Sequence, residues 1–161
     1  MADNPIVRYG DPVLRQRAEE VEFDDEIKAL IEKMYVIMAE SNGLGLAAPQ
    51  IGISKRVFTY DIGDGQHAIV NGEIIRSSGE EISVEGCLSI PGLQGDVARA
   101  DRVTITGLDE NGKKVTIRAE GLLARVFQHE TDHLDGKMFI DRADPDTLEA
   151  VSLQEDDEDE E

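Results

Sequence analysis

Two segments of the chain carry apolar residues at the spacing of an amphipathic helix. In the first segment, these residues recur at intervals of three and four: Ile27, Leu30, Ile31, Met34, Ile37 and Met38. Asp24 or Asp25 precedes the run as a candidate N-cap. Asn42 and Gly43 follow it, and both residues tolerate the left-handed conformation that ends many helices. The pattern therefore predicts a long helix that ends near Asn42.

The second helical segment carries polar residues on the side that its apolar residues direct toward the interior. Its apolar face consists of Leu122, Leu123, Val126 and Phe127. His129 and His133 continue one row of this face, and Glu130 continues the other. Because polar groups on a buried face need partners, this segment predicts a functional helix rather than a solvated one.

Alternating apolar and polar residues predict short strands between and around these helices. The candidate strands are residues 56–61, 66–70, 80–84, 102–108 and 113–119. Residues 63–65 form a turn between the first two, and Asp109-Glu110-Asn111-Gly112 between the last two is typical of a hairpin. Asp11 followed by Pro12 predicts a short helical turn near the start of the chain. Together the elements predict an α+β fold with mostly antiparallel sheet.

Length and composition predict one folded domain, residues 1–150, followed by an acidic tail, residues 151–161, that self-repulsion keeps disordered. The formal net charge is −19, and residues 154–161 contain seven acids and no base. This acidity argues against direct binding of nucleic acid. No apolar run approaches the length of a membrane span, and the N-terminus lacks a secretory pattern. We therefore expect a cytoplasmic protein without a membrane partner.

His129, Glu130 and His133 form the pattern H-E-x-x-H. Two histidines one helical turn apart can hold one divalent metal ion, while the glutamate between them acts on water. The pattern predicts metal-assisted hydrolysis. A catalytic site of this kind usually takes a third protein ligand. The sequence leaves that ligand open between Cys87 and the downstream carboxylates of Asp135, Asp141, Asp144, Asp146 and Glu149.

Each choice of third ligand predicts a different protein. Cys87 follows Gly86, which lets the backbone turn tightly beside the sulfur. A thiolate with two imidazoles favours iron(II), zinc, nickel or cobalt. A carboxylate ligand would instead suit a zincin-type endopeptidase, and a third alternative is a non-catalytic domain with a structural metal or an acidic binding surface. His67, the remaining histidine, is interpreted as a surface residue of a hairpin.

Three motifs, taken in order, resemble those of the peptide deformylase family. They are GLGLAAPQ at 43–50, EGCLS at 85–89 and QHETDHL at 128–134. The family patterns are G-φ-G-φ-A-A-x-Q, E-G-C-φ-S and Q-H-E-x-D-H, where φ is apolar. The resemblance extends from about Ile6 to Ile140. It implies an α+β domain whose antiparallel sheets wrap around a central metal-bearing helix, and an enzyme that removes the formyl group from N-formylmethionine of new peptides, releasing formate.

The resemblance also implies a metal centre and a base. Cys87, His129 and His133 would bind one divalent metal ion. Iron(II) is the expected native ion, and zinc, nickel or cobalt could occupy the site in purified protein. Glu130 would be the general base that takes a proton from the attacking water and delivers it to the departing amine.

Further residues match those that bind the substrate in this family. The side-chain amide of Gln50 and the backbone N–H of Leu88 would stabilise negative charge on the formyl oxygen. Gly45 would let the substrate main chain approach and pair as an added strand. The methionine side chain would enter an apolar pocket whose walls include Leu44, Leu122, Val126 and His129.

Arg125 is a further candidate substrate-binding residue, and the resemblance assigns two other charged residues a supporting position. Arg125 lies on the pocket side of its helix, where it either closes the pocket rim with its aliphatic stem or faces solvent. Glu85 and Arg99 match a pair that forms a supporting salt bridge, so their role is expected to be structural.

The expected partners are N-formylmethionyl nascent peptides. Many bacterial members of the family continue past the metal helix into a basic helix that docks on the ribosome. Here residues 141–145 and the acidic tail follow instead. Negative charge repels ribosomal RNA, which argues against docking by that route.

Overall fold

The first long helix, α1 (Asp25–Glu40), begins and ends near the residues that the sequence indicates. In the computed structural model, which describes residues 5–150, the Asp24 carboxylate accepts a hydrogen bond of 2.9 Å from the Ile27 N–H. Asp24 is therefore the N-cap. After the helix, Asn42 adopts a φ of +56°, the left-handed conformation that asparagine tolerates. The predicted turn at Pro12 is also present, with Asp11 as its cap.

Eight strands of the described residues form two antiparallel sheets. They are β1 (Gly45–Ala47), β2 (Val57–Tyr60), β3 (His67–Ser78), β4 (Glu81–Cys87), β5 (Ile90–Arg99), β6 (Arg102–Leu108), β7 (Lys114–Glu120) and β8 (Glu149–Ala150). The larger sheet has the order β1-β2-β3-β6-β7, and the smaller has β4-β5-β8. All neighbouring strands pair antiparallel, which confirms the predicted α+β class.

Several strands differ from the prediction: β1 and β8 were not predicted, and β4 continues beyond residue 84 to Cys87. Strand β3 continues to Ser78, far beyond residue 70, because it pairs with β6 along its second half despite two irregularities in register. Strand β5 was not predicted, since Pro91, Gly92 and Gly95 interrupt its apolar pattern. A Cβ atom on Gly95 would lie 2.7 Å from the Leu148 side chain, which would have to shift to accept a larger residue.

The second helix, α2 (Leu122–Leu134), lies in the middle of the molecule. Its Phe127 is fully buried and packs against the rings of Phe58 and Tyr60 on β2, with centroids 6.0 Å and 5.0 Å away. Its opposite side bonds to the smaller sheet, where the Arg125 guanidinium donates to the carbonyls of Val97 and Glu81. Both sheets therefore contact α2, as expected of a central helix.

Some expectations concern the ends of the chain. The acidic tail, residues 151–161, lies outside the described residues, so the predicted domain boundary and the disorder of the tail stay predictions. Among residues 5–150, neither helix combines the length and the apolar character that crossing a bilayer requires.

Replacing Asp24 with alanine should lower the free energy of unfolding by about 1 kcal/mol, because the Ile27 N–H loses its cap. Asp25→Ala is the matched control. It removes a carboxylate from the first turn and leaves the cap intact, so its effect should be a few tenths of a kcal/mol. Urea denaturation measures both, and equal losses would contradict the assignment of the cap.

Candidate metal centre

Helix α2 brings three polar side chains to its inward face. His133 is 1% exposed, Glu130 is 4% exposed and His129 is partly buried. The apolar residues of the same helix make this face inward, since Val126 and Phe127 are buried. Leu122 departs from the expected pattern. It is 51% exposed because it lies at the first turn, where the helix reaches the mouth of a cavity.

Cys87 reaches α2 from the end of strand β4. The pairing of β4 with β5 is regular as far as Gly86 and shifts at Cys87, which lies opposite Ile90 across a tight turn. This shift places the Cys87 Sγ 3.3 Å from the His133 Nε2. The ligand atoms of Cys87, His129 and His133 all lie within 4.8 Å of one another.

This cluster fits a single metal ion. A tetrahedral ion with bonds of about 2.0–2.3 Å separates its ligand atoms by roughly 3.3–3.6 Å, a spacing compatible with the cluster. One thiolate and two neutral imidazoles form a donor set that suits late first-row metals. Three protein ligands leave one coordination position open, whereas structural sites usually close with four.

The carboxylates that the sequence left open as a third ligand lie elsewhere in the described chain. Asp135 accepts from Arg56 at 3.0 Å, and Asp141 pairs with Arg15. The remaining three are exposed near the end of the described residues: Asp144, Asp146 and Glu149. The geometry therefore favours Cys87 over each of them.

Glu85 orients His129. The Glu85 Oε1 accepts from the His129 Nδ1 at 3.0 Å, which leaves the Nε2 of that ring to face the cluster. Arg99 binds the same carboxylate through its Nε and Nη2, at 2.6 Å and 2.9 Å. Burial alone would raise the pKa of Glu85, but the hydrogen bonds from His129 and Arg99 hold that pKa well below its usual range.

Arg125 is buried, not solvent-facing. Its side chain is 10% exposed, and its Nη1 donates to the Glu85 Oε2 and to the Val97 carbonyl. Its Nη2 donates to the Glu81 carbonyl at 2.8 Å. The alternative that Arg125 faces solvent is therefore wrong, since a charge this deeply placed is held by a carboxylate and two backbone oxygens.

Gln50 lies beside Cys87 and is 2% exposed. It belongs to a short 3₁₀ turn, Ala48–Ile51, that Pro49 helps to start after β1. Its Oε1 accepts from the Ala47 N–H at 2.9 Å, which turns its Nε2 toward the Cys87 Sγ and the Ser89 hydroxyl, at 3.6 Å and 3.3 Å. The amide N–H donors of Gln50 therefore point into the cluster.

Glu130 lies against the backbone of β1. A Cβ atom on Gly45 would lie 2.5 Å from the Glu130 Oε2, so only glycine leaves room for this carboxylate. The Glu130 Oε1 is buried and has no hydrogen-bond partner among the described residues. Burial raises the pKa of Glu130 to about 7. The sequence pointed to Gly45 for substrate approach, but nothing in it showed this contact.

A cavity of about 450 Å³ opens beside the cluster. Its lining includes every residue that the sequence assigned to the substrate: Leu44, Gly45, Gln50, Leu88, Leu122, Arg125, Val126, His129 and Glu130. Leu44 and Leu122 are about half exposed at its mouth. The smaller sheet adds lining residues that the sequence did not assign: Val84 on β4, and Ile90, Leu93 and Gln94 on β5, which was not predicted.

His67 lies away from this cluster. Its side chain is 37% exposed, its ring packs 5.3 Å from that of Tyr60, and it is 3.9 Å from the Glu110 carboxylate. The position agrees with its interpretation as a hairpin residue near the surface.

The chain is similar to known proteins over nearly its whole length. A family model described as "Polypeptide deformylase" matches residues 3–149. The peptide deformylase of Carboxydothermus hydrogenoformans is 51% identical over 145 residues, which cover 89% of this chain and 95% of that protein. The peptide deformylase of Halothermothrix orenii is 52% identical over 140 residues, covering 85% and 91%.

Solved structures show the same similarity. The peptide deformylase of Thermotoga maritima has a TM-score of 0.84 and 45% identity, covering 87% of this chain and 97% of that chain. A peptide deformylase from Synechococcus elongatus, solved in complex with actinonin, has a TM-score of 0.85 and 43% identity, covering 89% and 81%.

Replacing Arg99 with methionine should lower the free energy of unfolding by about 3–5 kcal/mol, because the buried carboxylates of Glu85 and Asp132 both lose a partner. Arg15→Met is the control. Its pair with Asp141 is partly exposed, so the loss should stay below about 1 kcal/mol. Urea denaturation of the metal-free proteins distinguishes the two, and a small loss for Arg99→Met would contradict the assigned contacts.

Proposed function

The chain belongs to the polypeptide deformylase family, and we propose that Cys87, His129 and His133 hold the metal ion on which this family of hydrolases depends. The enzyme removes the N-formyl group from N-formylmethionine at the start of newly made peptides and releases formate. The observation that carries the proposal is the convergence of the three ligand atoms within 4.8 Å, beside a buried glutamate and an apolar cavity.

A metal ion held there would polarise the formyl carbonyl and lower the pKa of a water molecule. Glu130 is the general base in this proposal: it accepts a proton from the attacking water and delivers it to the departing amine nitrogen. Its buried Oε1 has no partner among the described residues, so this oxygen is free to accept that proton. Because Gly45 has no side chain, the Glu130 carboxylate can lie against strand β1, where the substrate would pair.

Gln50 and Leu88 would stabilise the negative charge that develops on the formyl oxygen. The Gln50 amide is already oriented by the Ala47 N–H, so its Nε2 needs no rearrangement to donate. Leu88 lies in the turn directly after Cys87, where the next N–H, that of Ser89, donates to the Cys87 Sγ at 3.4 Å, which supports a donor role for this turn. Preorganised donors of this kind are typically worth about 10²–10³ in rate each.

The peptide would pair with the open edge of β1. Gly45 lies opposite Tyr60, and the next bond of the ladder runs from the Asp61 N–H to the Leu44 carbonyl. Because hydrogen-bonded and non-hydrogen-bonded pairs alternate in antiparallel sheet, Gly45 directs its N–H and C=O away from β2. Strand β1 is the edge of the larger sheet, so these groups are available to an added strand.

The methionine side chain would occupy the cavity between α2 and the smaller sheet. Val126 and the stem of Arg125 form the wall on the helix, and Leu44 and Leu122 lie at the mouth. The guanidinium of Arg125 is bonded away from the cavity, so it presents methylene groups to the substrate. An unbranched thioether suits such an apolar wall.

We further propose iron(II) as the native ion, with zinc, nickel or cobalt able to occupy the same site in purified protein. The thiolate and imidazole donors support this range of metals. The substrates would be N-formylmethionyl nascent peptides in the cytoplasm. Residues 144–161 contain acids and no base, which supports action without a basic ribosome-docking helix.

The decisive test compares Cys87→Ala with Glu130→Ala after anaerobic purification. Cys87→Ala should lose most of its bound metal and its activity, because the remaining two imidazoles hold the ion weakly. Glu130→Ala should keep stoichiometric metal and lose about 10²–10⁴ in kcat. Metal analysis and formate release from formyl-Met-Ala-Ser are the measurements. Full metal content in Cys87→Ala, or cleavage of an unformylated peptide by the wild type, would overturn the proposal.

Gly45→Ala should lower kcat by about 10², because the new Cβ displaces the Glu130 carboxylate by enough to misalign it. Leu44→Ala is the control. It alters a neighbouring cavity residue without adding an atom near Glu130, so it should change KM more than kcat. Steady-state kinetics with metal-loaded enzyme separates the effects. A raised KM with unchanged kcat in Gly45→Ala would show that glycine serves substrate approach alone.

A further inference from the structure

The two ends of the Arg125 side chain have different surroundings. Its residue lines the cavity together with Val126 and His129. Its guanidinium donates to the Glu85 Oε2, the Val97 carbonyl and the Glu81 carbonyl. The charged group is therefore held by three acceptors of the smaller sheet.

Glu85 connects this guanidinium to a metal ligand. Its Oε1 accepts from the His129 Nδ1, and its Oε2 accepts from both Arg125 and Arg99. Arg99 also binds Glu85, and its Nη1 is bonded to Asp132. Asp132 is in turn bound by Arg142. Arg125 is the member of this chain of charges that joins Glu85 to the backbone of both β4 and β5.

We propose that Arg125 is a positioning residue for the metal centre: its guanidinium holds Glu85 where that carboxylate orients His129. The inference rests on the proposed function, since it concerns a ligand of the proposed metal. Groups that orient a ligating histidine typically change metal affinity by about 10–100-fold when they are replaced. The position of Arg125 predicts an effect of this kind from a residue that does not touch the ion.

The chain offers a close control in Arg56. Arg56 is 5% exposed and Arg125 is 8% exposed. Arg56 also binds one carboxylate and two backbone carbonyls, those of Asp135, Ala18 and Leu134. It makes no contact with Glu85, however. Replacing either arginine removes the same kinds of bonds from a buried position, and only one replacement releases the orienting carboxylate.

The experiment uses Arg125→Met and Arg56→Met in the full chain, with cobalt(II) as the probe. Methionine keeps an unbranched apolar stem and removes the guanidinium. Arg125→Met should raise the cobalt(II) dissociation constant about tenfold and shift the visible cobalt absorption bands, because His129 is less firmly oriented. Its kcat should fall by about tenfold, with KM changed by less than about threefold since the cavity wall remains. Arg56→Met should keep the wild-type cobalt affinity and spectrum.

Two further variants keep the inference falsifiable if stability falls. Arg125→Lys retains the charge but cannot bond Glu85 and both carbonyls at once, so it should recover only part of the cobalt affinity. In a Glu85→Gln background, Arg125→Met should have little additional effect on cobalt affinity, because the two residues act through one path. Additive effects in this double-mutant cycle would overturn the inference.

The outcomes separate this inference from the proposed function. If Cys87→Ala binds cobalt(II) as tightly as the wild type, the proposed metal centre itself is wrong. If Cys87→Ala loses cobalt but Arg125→Met retains the wild-type affinity and spectrum, only the role of Arg125 is wrong. Equal loss of cobalt affinity in Arg56→Met and Arg125→Met would show that replacing any buried arginine weakens cobalt binding. That result would also contradict positioning through Glu85.

Discussion

The buried carboxylate of Glu85 is the group on which the arrangement of the site depends. A charge removed from water is costly unless hydrogen bonds and opposite charges surround it. Here the partners come from two elements, Arg99 from β5 and both Arg125 and His129 from α2. Because the Glu85 carboxylate needs these hydrogen-bond partners, it fixes the smaller sheet against α2. Cys87 follows two residues later on the same strand, so the same constraint delivers the thiolate to His133.

The larger sheet is fixed against the other side of the site by close approach rather than by charge. Gly45 leaves room for Glu130 because it has no side chain, and Gln50 follows in the turn that Pro49 helps to start. Glu130 and Gln50 thus belong to the contact between β1 and α2. The thiolate belongs to the contact between β4 and α2. The centre is complete only when both sheets pack on one helix, which explains why its residues are far apart in the sequence.

Features that depend on local periodicity were predictable from the sequence. The spacing of His129 and His133 follows the helical repeat, the cap at Asp24 follows from residue type, and the hairpin of β6 and β7 follows from its turn. Features that depend on distant contacts could not be predicted from local pattern, and those that were expected, such as the Glu85–Arg99 pair, came from the family resemblance. Strand β5 carries Gly95 because Leu148 packs over it, and Arg125 is buried because Glu85 and two backbone carbonyls reach it. Neither reason is visible in the residues that flank these positions.

The third ligand shows where spacing stops being informative. On α2, the helix itself sets the distance between His129 and His133. Two candidate ligands can therefore be assigned from their spacing of four residues in the sequence. Cys87 lies more than 40 residues earlier, and its distance to His133 is set by how β4 ends. The register of β4 with β5 shifts after Gly86, which directs Cys87 out of the regular ladder at the point nearest the helix. A one-residue change in strand register would reverse the facing of its side chains. The shift after Gly86 is therefore what brings the Cys87 Sγ beside His133.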